Sequence, residues 1–227
     1  MTERQHITID VVSDAVCPWC FIGQKRLDKA VEDLPEIDVG VRWRPFQLDP
    51  TIPPEGRSRR DYLMAKFGDR KRIEDMHRNI SEAGLAEGIS FDFDAIKISP
   101  NTLDAHRLIR WAASSGPEAQ NRVARRLFQL YFEEGANIGD RQVLADAAAE
   151  CGMDRAVVET LLAGNADTAD VRDEIETAAR MGVTGVPCFL IEGRYAVMGA
   201  QPSDALANAI RQVAEAKARG ELENAAG

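Results

Sequence analysis

Near the N-terminus Ile7, Ile9 and Val11 alternate with Thr8, Asp10 and Val12, the two-residue period of a strand over about residues 6–12. The period then changes. From about 18 to 33 apolar positions recur at helical spacing, with Cys20, Leu27, Val31 and Leu34 on one face, and the pattern stops at Leu34-Pro35. Val39-Gly-Val-Arg-Trp43 predicts a second strand, and Pro45, Pro50, Pro53, Pro54 and Gly56 mark a long connection. Between about 57 and 166 the pattern is helical almost throughout. One helix is predicted to start at Ser99-Pro100, as cap and first helical position. Another carries Val123, Leu127, Leu130 and Tyr131. A third runs from Asp140 to Gly152 with Val143, Ala147 and Cys151 on one stripe, and a fourth from Asp154 to about Ala163.

After that block the chain changes again. A helix with Val171, Ile175, Ala178 and Ala179 on one face stops at Gly182. Val183-Thr-Gly-Val-Pro187 leads into an apolar strand, Cys188-Phe-Leu-Ile191. A turn at Glu192-Gly193, a strand Tyr195-Ala-Val-Met198 and a last helix from Ser203 follow. The polar, small-residue end over 221–227 predicts fraying. The order is β-α-β, a helical block, then α-β-β-α. It predicts an α/β architecture in which a helical insertion, residues 57–166, separates the two halves (1–56 and 167–220) of one sheet-based domain.

Between the first strand and the first helix lies Cys17-Pro18-Trp19-Cys20. Two thiols at this spacing can close a small disulfide, and a strand feeding such a pair at a helix start is the layout of a thiol–disulfide site. Helix-start N–H groups have no intrahelical partner and carry partial positive charge, so a thiolate on Cys17 is stabilised there. Cys17 is the expected nucleophile. Cys20, a turn further in on the apolar face, is the expected resolving thiol. Pro18 suits the first turn, and Trp19 offers a flat apolar surface beside the sulfur. Zinc would need a second close ligand pair. Cys151 and Cys188 are isolated and no His-x-x-x-His exists, so no metal is expected.

Charge narrows the partners. With 28 basic against 37 acidic residues the net charge is −9, which argues against nucleic acid and anionic membrane. No apolar run approaches the ~20 residues of a membrane span. The first residues lead straight into a strand without a signal-like apolar stretch, so a cytoplasmic location is expected. In that compartment a disulfide is more often catalytic than structural.

Four blocks carry a resemblance: Asp14-Ala-Val-Cys-Pro-Trp-Cys-Phe-Ile-Gly23, Trp43-Arg-Pro-Phe46, Asn101-Thr-Leu-Asp-Ala-His106 and Gly182-Val-Thr-Gly-Val-Pro-Cys-Phe189. In this order the chain resembles the DsbA-like oxidoreductases, and within them the FrnE-like branch. The scaffold is also similar to that of 2-hydroxychromene-2-carboxylate isomerases and kappa-class glutathione transferases, which hold glutathione where this chain places its cysteine pair. The resemblance implies a thioredoxin fold with a large all-helical insertion. It implies a cis Pro187, with the backbone of Val186 offered to an extended substrate or to glutathione. Cys188 departs from the family pattern. It is a candidate third redox thiol beside the site, against the plainer reading of a small buried core residue.

Further candidates are weaker. His106 shares a stripe with Leu103, Ile109 and Ala113, and either packs in the core or faces the thiols. Asn101 is a candidate for capping or for substrate contact. Asp10, on the incoming strand, is favoured over Asp14 as the buried carboxylate beneath the disulfide, Asp14 being read as a turn residue. The basic stretch Arg57, Arg59, Arg60, Lys66, Arg70, Lys71 and Arg72 reads as a solvated helix face, with attraction of a carboxylate-bearing thiol as the alternative.

The resulting expectation is a disulfide oxidoreductase or isomerase that needs no bound cofactor. Its substrate would be a disulfide-bearing protein or a small-molecule thiol. Glutathione as co-substrate or a reductase partner would recycle it, and a homodimer is compatible. The alternative is a glutathione-dependent isomerase or transferase using Ser13 or Cys17, for which Cys20 would be superfluous.

Overall fold

The computed structural model of the chain describes residues 4–222, so the predicted frayed end lies, from 223 on, outside the described residues. Strand β1 (Gln5–Ser13) is central. It pairs in parallel with β2 (Ile37–Pro45) and antiparallel with β5 (Cys188–Ile191), which pairs with β6 (Tyr195–Met198), giving the order β2-β1-β5-β6. Helix α1 (Pro18–Glu32) makes the β1-to-β2 crossover that a parallel pair requires.

The two-residue period of β1 separates two packing faces. Ile7, Ile9 and Val11 join the main core with α1 and with α9 (Ser203–Ala218). Val12 points the other way, into a small cluster with Cys188, Val183 and Ala178 of α8 (Thr168–Arg180).

Between the halves of the sheet come β3 (Arg57–Ser58), α2 (Arg59–Phe67), α3 (Arg70–Leu85), β4 (Ile98–Ser99), α4 (Leu103–Ala112), α5 (Pro117–Phe132), α6 (Arg141–Glu150) and α7 (Arg155–Ala163). Asp140 and Asp154 cap α6 and α7 through their carboxylates, as N-cap chemistry favours. These helices do not form a core of their own. One apolar cluster runs from Ile7 and Phe21 through Phe128 and Tyr131 to Leu144 and Val158. Phe21 of α1 stacks on Phe128 of α5, centroids 5.3 Å apart. Strand β2 is tied to α5 by two buried bonds, one from the backbone and one from the indole: Trp43 N–H to Gln120 Oε1 at 2.9 Å and Trp43 Nε1–H to Asn121 Oδ1 at 2.7 Å.

The sequence pattern misplaces one boundary. Ser99-Pro100 does not open a helix, because Ile98 and Ser99 pair with Ser58 and Arg57 in a two-stranded ribbon. The capping oxygen belongs instead to Asn101, whose Oδ1 accepts the Leu103 N–H at 3.0 Å. The ribbon matters because it sets α2 and α3 over the end of α1 that carries the cysteines.

Candidate functional site

Cys17 is the residue before the first turn of α1, extended at φ −93° and ψ 113°, and Pro18 is the first helical residue. Its own N–H donates to the Asp14 carbonyl at 3.0 Å. Its carbonyl accepts from Cys20 at 3.0 Å and from Phe21 at 3.3 Å. The motif is thereby anchored at both ends by backbone, and both cysteines are unpaired in the structure. The Val186–Pro187 peptide is cis. It places the Val186 carbonyl 3.7 Å from Cys17 Sγ, where it accepts from the thiol. The close approach of α1 to this loop depends on Gly23. A Cβ there would lie 2.9 Å from Pro187 Cγ and 3.2 Å from Phe189 Cζ.

The two thiols differ in surroundings. Cys17 is 4% exposed and opens onto a cavity of about 330 Å³ between the motif and the α2–α3 pair. Cys20 is 1% exposed and does not reach it. Burial, followed by the hydrogen bond and charge of Cys17, pushes the Cys20 thiol well above the ordinary range, while the Ser13 side chain and the Asp14 backbone oppose the shift. Trp19, 40% exposed, and Val186 line one side of the cavity, and Tyr62, His77, Phe93 and Tyr131 the other. A smaller cavity of about 100 Å³ lies behind Ser13, bounded by Trp43 and His106, and neither sulfur opens onto it.

The remaining candidates divide. Asp10 is not beneath the disulfide. It shares the β1 parity of Val12, and its carboxylate takes Arg44 Nε at 2.8 Å and Arg42 Nη2 at 3.0 Å on strand β2. The buried carboxylate at the site is Asp14, 1% exposed and lining the Cys17 cavity. Its Oδ2 accepts the Leu48 N–H at 2.8 Å. His106 touches neither sulfur. It is buried behind Asp14, 3.5 Å from Oδ1, and its Nε2–H donates to the Phe46 carbonyl at 2.9 Å. That bond fixes the ring tautomer.

Asn101 spends its side chain on structure. Besides the cap, Nδ2 donates to the Ile52 carbonyl at 2.6 Å and Oδ1 accepts from Gln47 at 3.1 Å, and the residue does not line the cavity. Cys188, one residue past the cis proline, is fully buried on the opposite face of the sheet from Cys20, so it is a core residue and not a neighbour of the pair. Its thiol is pushed up by burial alone.

The basic stretch is not uniform. Arg70 pairs with Glu74 at 2.8 Å on the surface, whereas Arg59 and Lys66 line the Cys17 cavity. The cavity's far wall, Tyr62, His77, Phe93 and Tyr131, carries no site signal in the sequence because it is assembled from four separated segments. Among the described residues no group of His, Cys, Asp or Glu is arranged to hold a metal. No helix among them is long and apolar enough to cross a membrane.

The Cys-x-x-Cys pair thus lies at a helix start, facing a cis proline. The model of the DSBA-like thioredoxin domain matches residues 8–211. The chain belongs to the DsbA-like thioredoxin domain family. It is 29% identical over 207 residues to the uncharacterized protein YwbO of Bacillus subtilis (strain 168), covering 90% of this chain and 96% of that protein. The crystal structure of the probable DsbA oxidoreductase SCO1869 from Streptomyces coelicolor superposes with a TM-score of 0.83 at 29% identity, over 91% of this chain and 89% of that one. A 2-hydroxychromene-2-carboxylate isomerase shares the fold, with a TM-score of 0.69 at 17% identity over 93% of this chain and 98% of that chain. The DsbA-like fold, with its helical segment set between the two halves of the sheet, is therefore that of the family.

Proposed function

We propose that this DsbA-like protein is a thiol–disulfide oxidoreductase in which Cys17 attacks a substrate disulfide and Cys20 resolves the mixed disulfide. The observation that carries the reading is the asymmetry of the pair. Cys17 opens onto a substrate-sized cavity with the Val186 carbonyl beside it, and Cys20 is sealed behind it with its thiol pushed up. A thiol held protonated until a mixed disulfide forms next to it suits resolution and not initial attack. The Val186 backbone, presented by the cis bond, is placed to pair with an extended substrate and align the sulfurs. Residues 57–166, read as an insertion, supply the cavity's outer wall and with it substrate choice.

No bound cofactor takes part. Glutathione as co-substrate, or a partner reductase, returns the pair to its working state in the cytoplasm. The isomerase alternative, with its support in the shared fold of the 2-hydroxychromene-2-carboxylate isomerase, needs Ser13 or Cys17 to activate glutathione. Ser13 lines the smaller cavity behind the motif and not the Cys17 cavity, and Cys20 has no task in that chemistry. The deciding experiment is the reduction potential of the Cys17–Cys20 pair against glutathione, read by trapping free thiols. A value near ~−200 to −120 mV supports disulfide formation or shuffling, and one near ~−270 mV supports reduction. Failure to form a Cys17–Cys20 disulfide at any poise would discard the oxidoreductase reading in favour of the isomerase.

A further inference from the structure

Among the described residues six buried side-chain polar atoms lack a hydrogen-bond partner, and four of them, Asp14 Oδ1, Arg59 Nε, His77 Nε2 and the neutral Ser99 Oγ, belong to residues lining the Cys17 cavity. Buried polar groups without partners are rare and destabilising, so their concentration at one cavity points to a ligand that meets them. Their chemistry constrains that ligand. Asp14 Oδ1 is an acceptor. His106 lies 3.5 Å away, but its N–H is given to the Phe46 carbonyl. Arg59 Nε is a cationic donor. The same guanidinium is held in place by its Nη1, which donates to Tyr131 Oη at 2.8 Å. The cavity's other carboxylate, Asp49, is already occupied by the N–H and hydroxyl of Thr51. Its other cation, Lys66, donates to Tyr62 Oη at 3.1 Å on the exposed side. One unmet carboxylate oxygen and one unmet guanidinium N–H therefore remain at the sulfur's cavity. A neutral imidazole stands beside them, because burial and the Arg59 charge push His77 below the usual histidine range.

We propose that the cavity takes a small disulfide bearing an α-amino-acid group, its ammonium on Asp14 Oδ1 and its carboxylate on Arg59 Nε, with one sulfur against Cys17. The inference rests on the thiol–disulfide reading and adds the substrate class. Size agrees: about 330 Å³ is at the lower end of small-molecule sites, and Cys17, only 4% exposed as a residue, is poorly open to a folded partner. In the reaction Cys17 as thiolate attacks one substrate sulfur. The Cys17–sulfur bond forms, the substrate S–S bond breaks, and one amino-acid thiolate leaves. Cys20 then attacks Cys17, closing Cys17–Cys20 and expelling the second thiolate. The protein loses two electrons, the substrate gains them, and the two thiol protons end on the two released thiols.

The test uses the reduced full-length chain in single turnover, so no external reductant enters. Four probes of matched length are compared: cystine, cystamine (no carboxylate), dithiodipropionate (no ammonium) and hydroxyethyl disulfide (neither charge). Each rate constant is divided by that of dithiothreitol with the same probe, which removes differences in leaving-group pKa. Cystine is expected to exceed each of the other three by roughly tenfold or more. Arg59→Gln should bring cystine down to the level of cystamine, and Asp14→Asn to the level of dithiodipropionate. Equal normalised rates for the four probes, or a cystine advantage that survives both substitutions, would overturn the proposal while leaving the redox reading standing. Release of thiol from none of the probes would overturn both. Should Asp14→Asn not fold, the wild-type rank order still decides.

Discussion

Cys17 and Val186, far apart in sequence, meet at 3.7 Å, thiol to carbonyl, across the end of the sheet. The contact joins the start of α1 to the loop before β5, which the antiparallel β1–β5 pairing, Val12 opposite Cys188, brings to the same end of the sheet. The sheet order is what turns two cysteines and a proline into one site.

The approach of α1 to that loop makes Gly23 a sensitive position. Gly23→Ala would put a methyl 2.9 Å from Pro187 Cγ, so either the helix or the cis loop must shift. Overpacking of this kind costs about 1–3 kcal/mol. A lower urea midpoint with slower disulfide exchange is expected. Unchanged stability and exchange would show that the loop yields freely.

Cys188 is assigned to the core. Cys188→Ala should cost about 1 kcal/mol, the scale of a small core deletion. It should leave the potential of the Cys17–Cys20 pair where it is. A shift of that potential by more than ~30 mV, equivalent to a tenfold change in equilibrium, would return Cys188 to the site.

The raised Cys20 thiol predicts a pH dependence of the reduced protein. In the unfolded chain a cysteine ionises around pH 8.5. In the folded chain Cys20 stays protonated beyond that. Its contribution is whole below the unfolded value and is lost as pH rises from there toward the folded one. Urea unfolding of reduced wild type should therefore lose stability between pH 8 and 10 more steeply than reduced Cys20→Ala. Parallel slopes for the two proteins would contradict the burial of that thiol.

Much of this arrangement is written in local sequence. The alternation of Ile7, Ile9 and Val11, the caps at Asp140 and Asp154, and the Cys17–Cys20 spacing each act over a few residues, so pattern alone exposes them. The β1 alternation carries a further signal. Asp10 shares the parity of Val12, which places it on the face away from the cysteines and leaves Asp14, in the turn, as the site carboxylate. Other features depend on tertiary pairing. The β3–β4 ribbon joins residues some forty positions apart, and its two-residue strands carry no period. It displaces the predicted helix start from Ser99 and brings Arg59 to the cavity wall, with Lys66 at the cavity's exposed side. Cys188 follows the cis proline directly, yet strand alternation sends it to the opposite face of the sheet.

The most direct test of the account is where a substrate half is retained. Reduced Cys20→Ser and Cys17→Ser would each be mixed with an excess of hydroxyethyl disulfide and followed by intact mass and peptide mapping. With the cavity opening onto Cys17 and Cys20 sealed behind it, Cys20→Ser should rapidly hold one lasting adduct on Cys17. Wild type should hold none and close its own disulfide, and Cys17→Ser should react far more slowly. Rapid adduct formation on Cys20 in Cys17→Ser, or no retained adduct in Cys20→Ser, would contradict the division of labour between the two thiols.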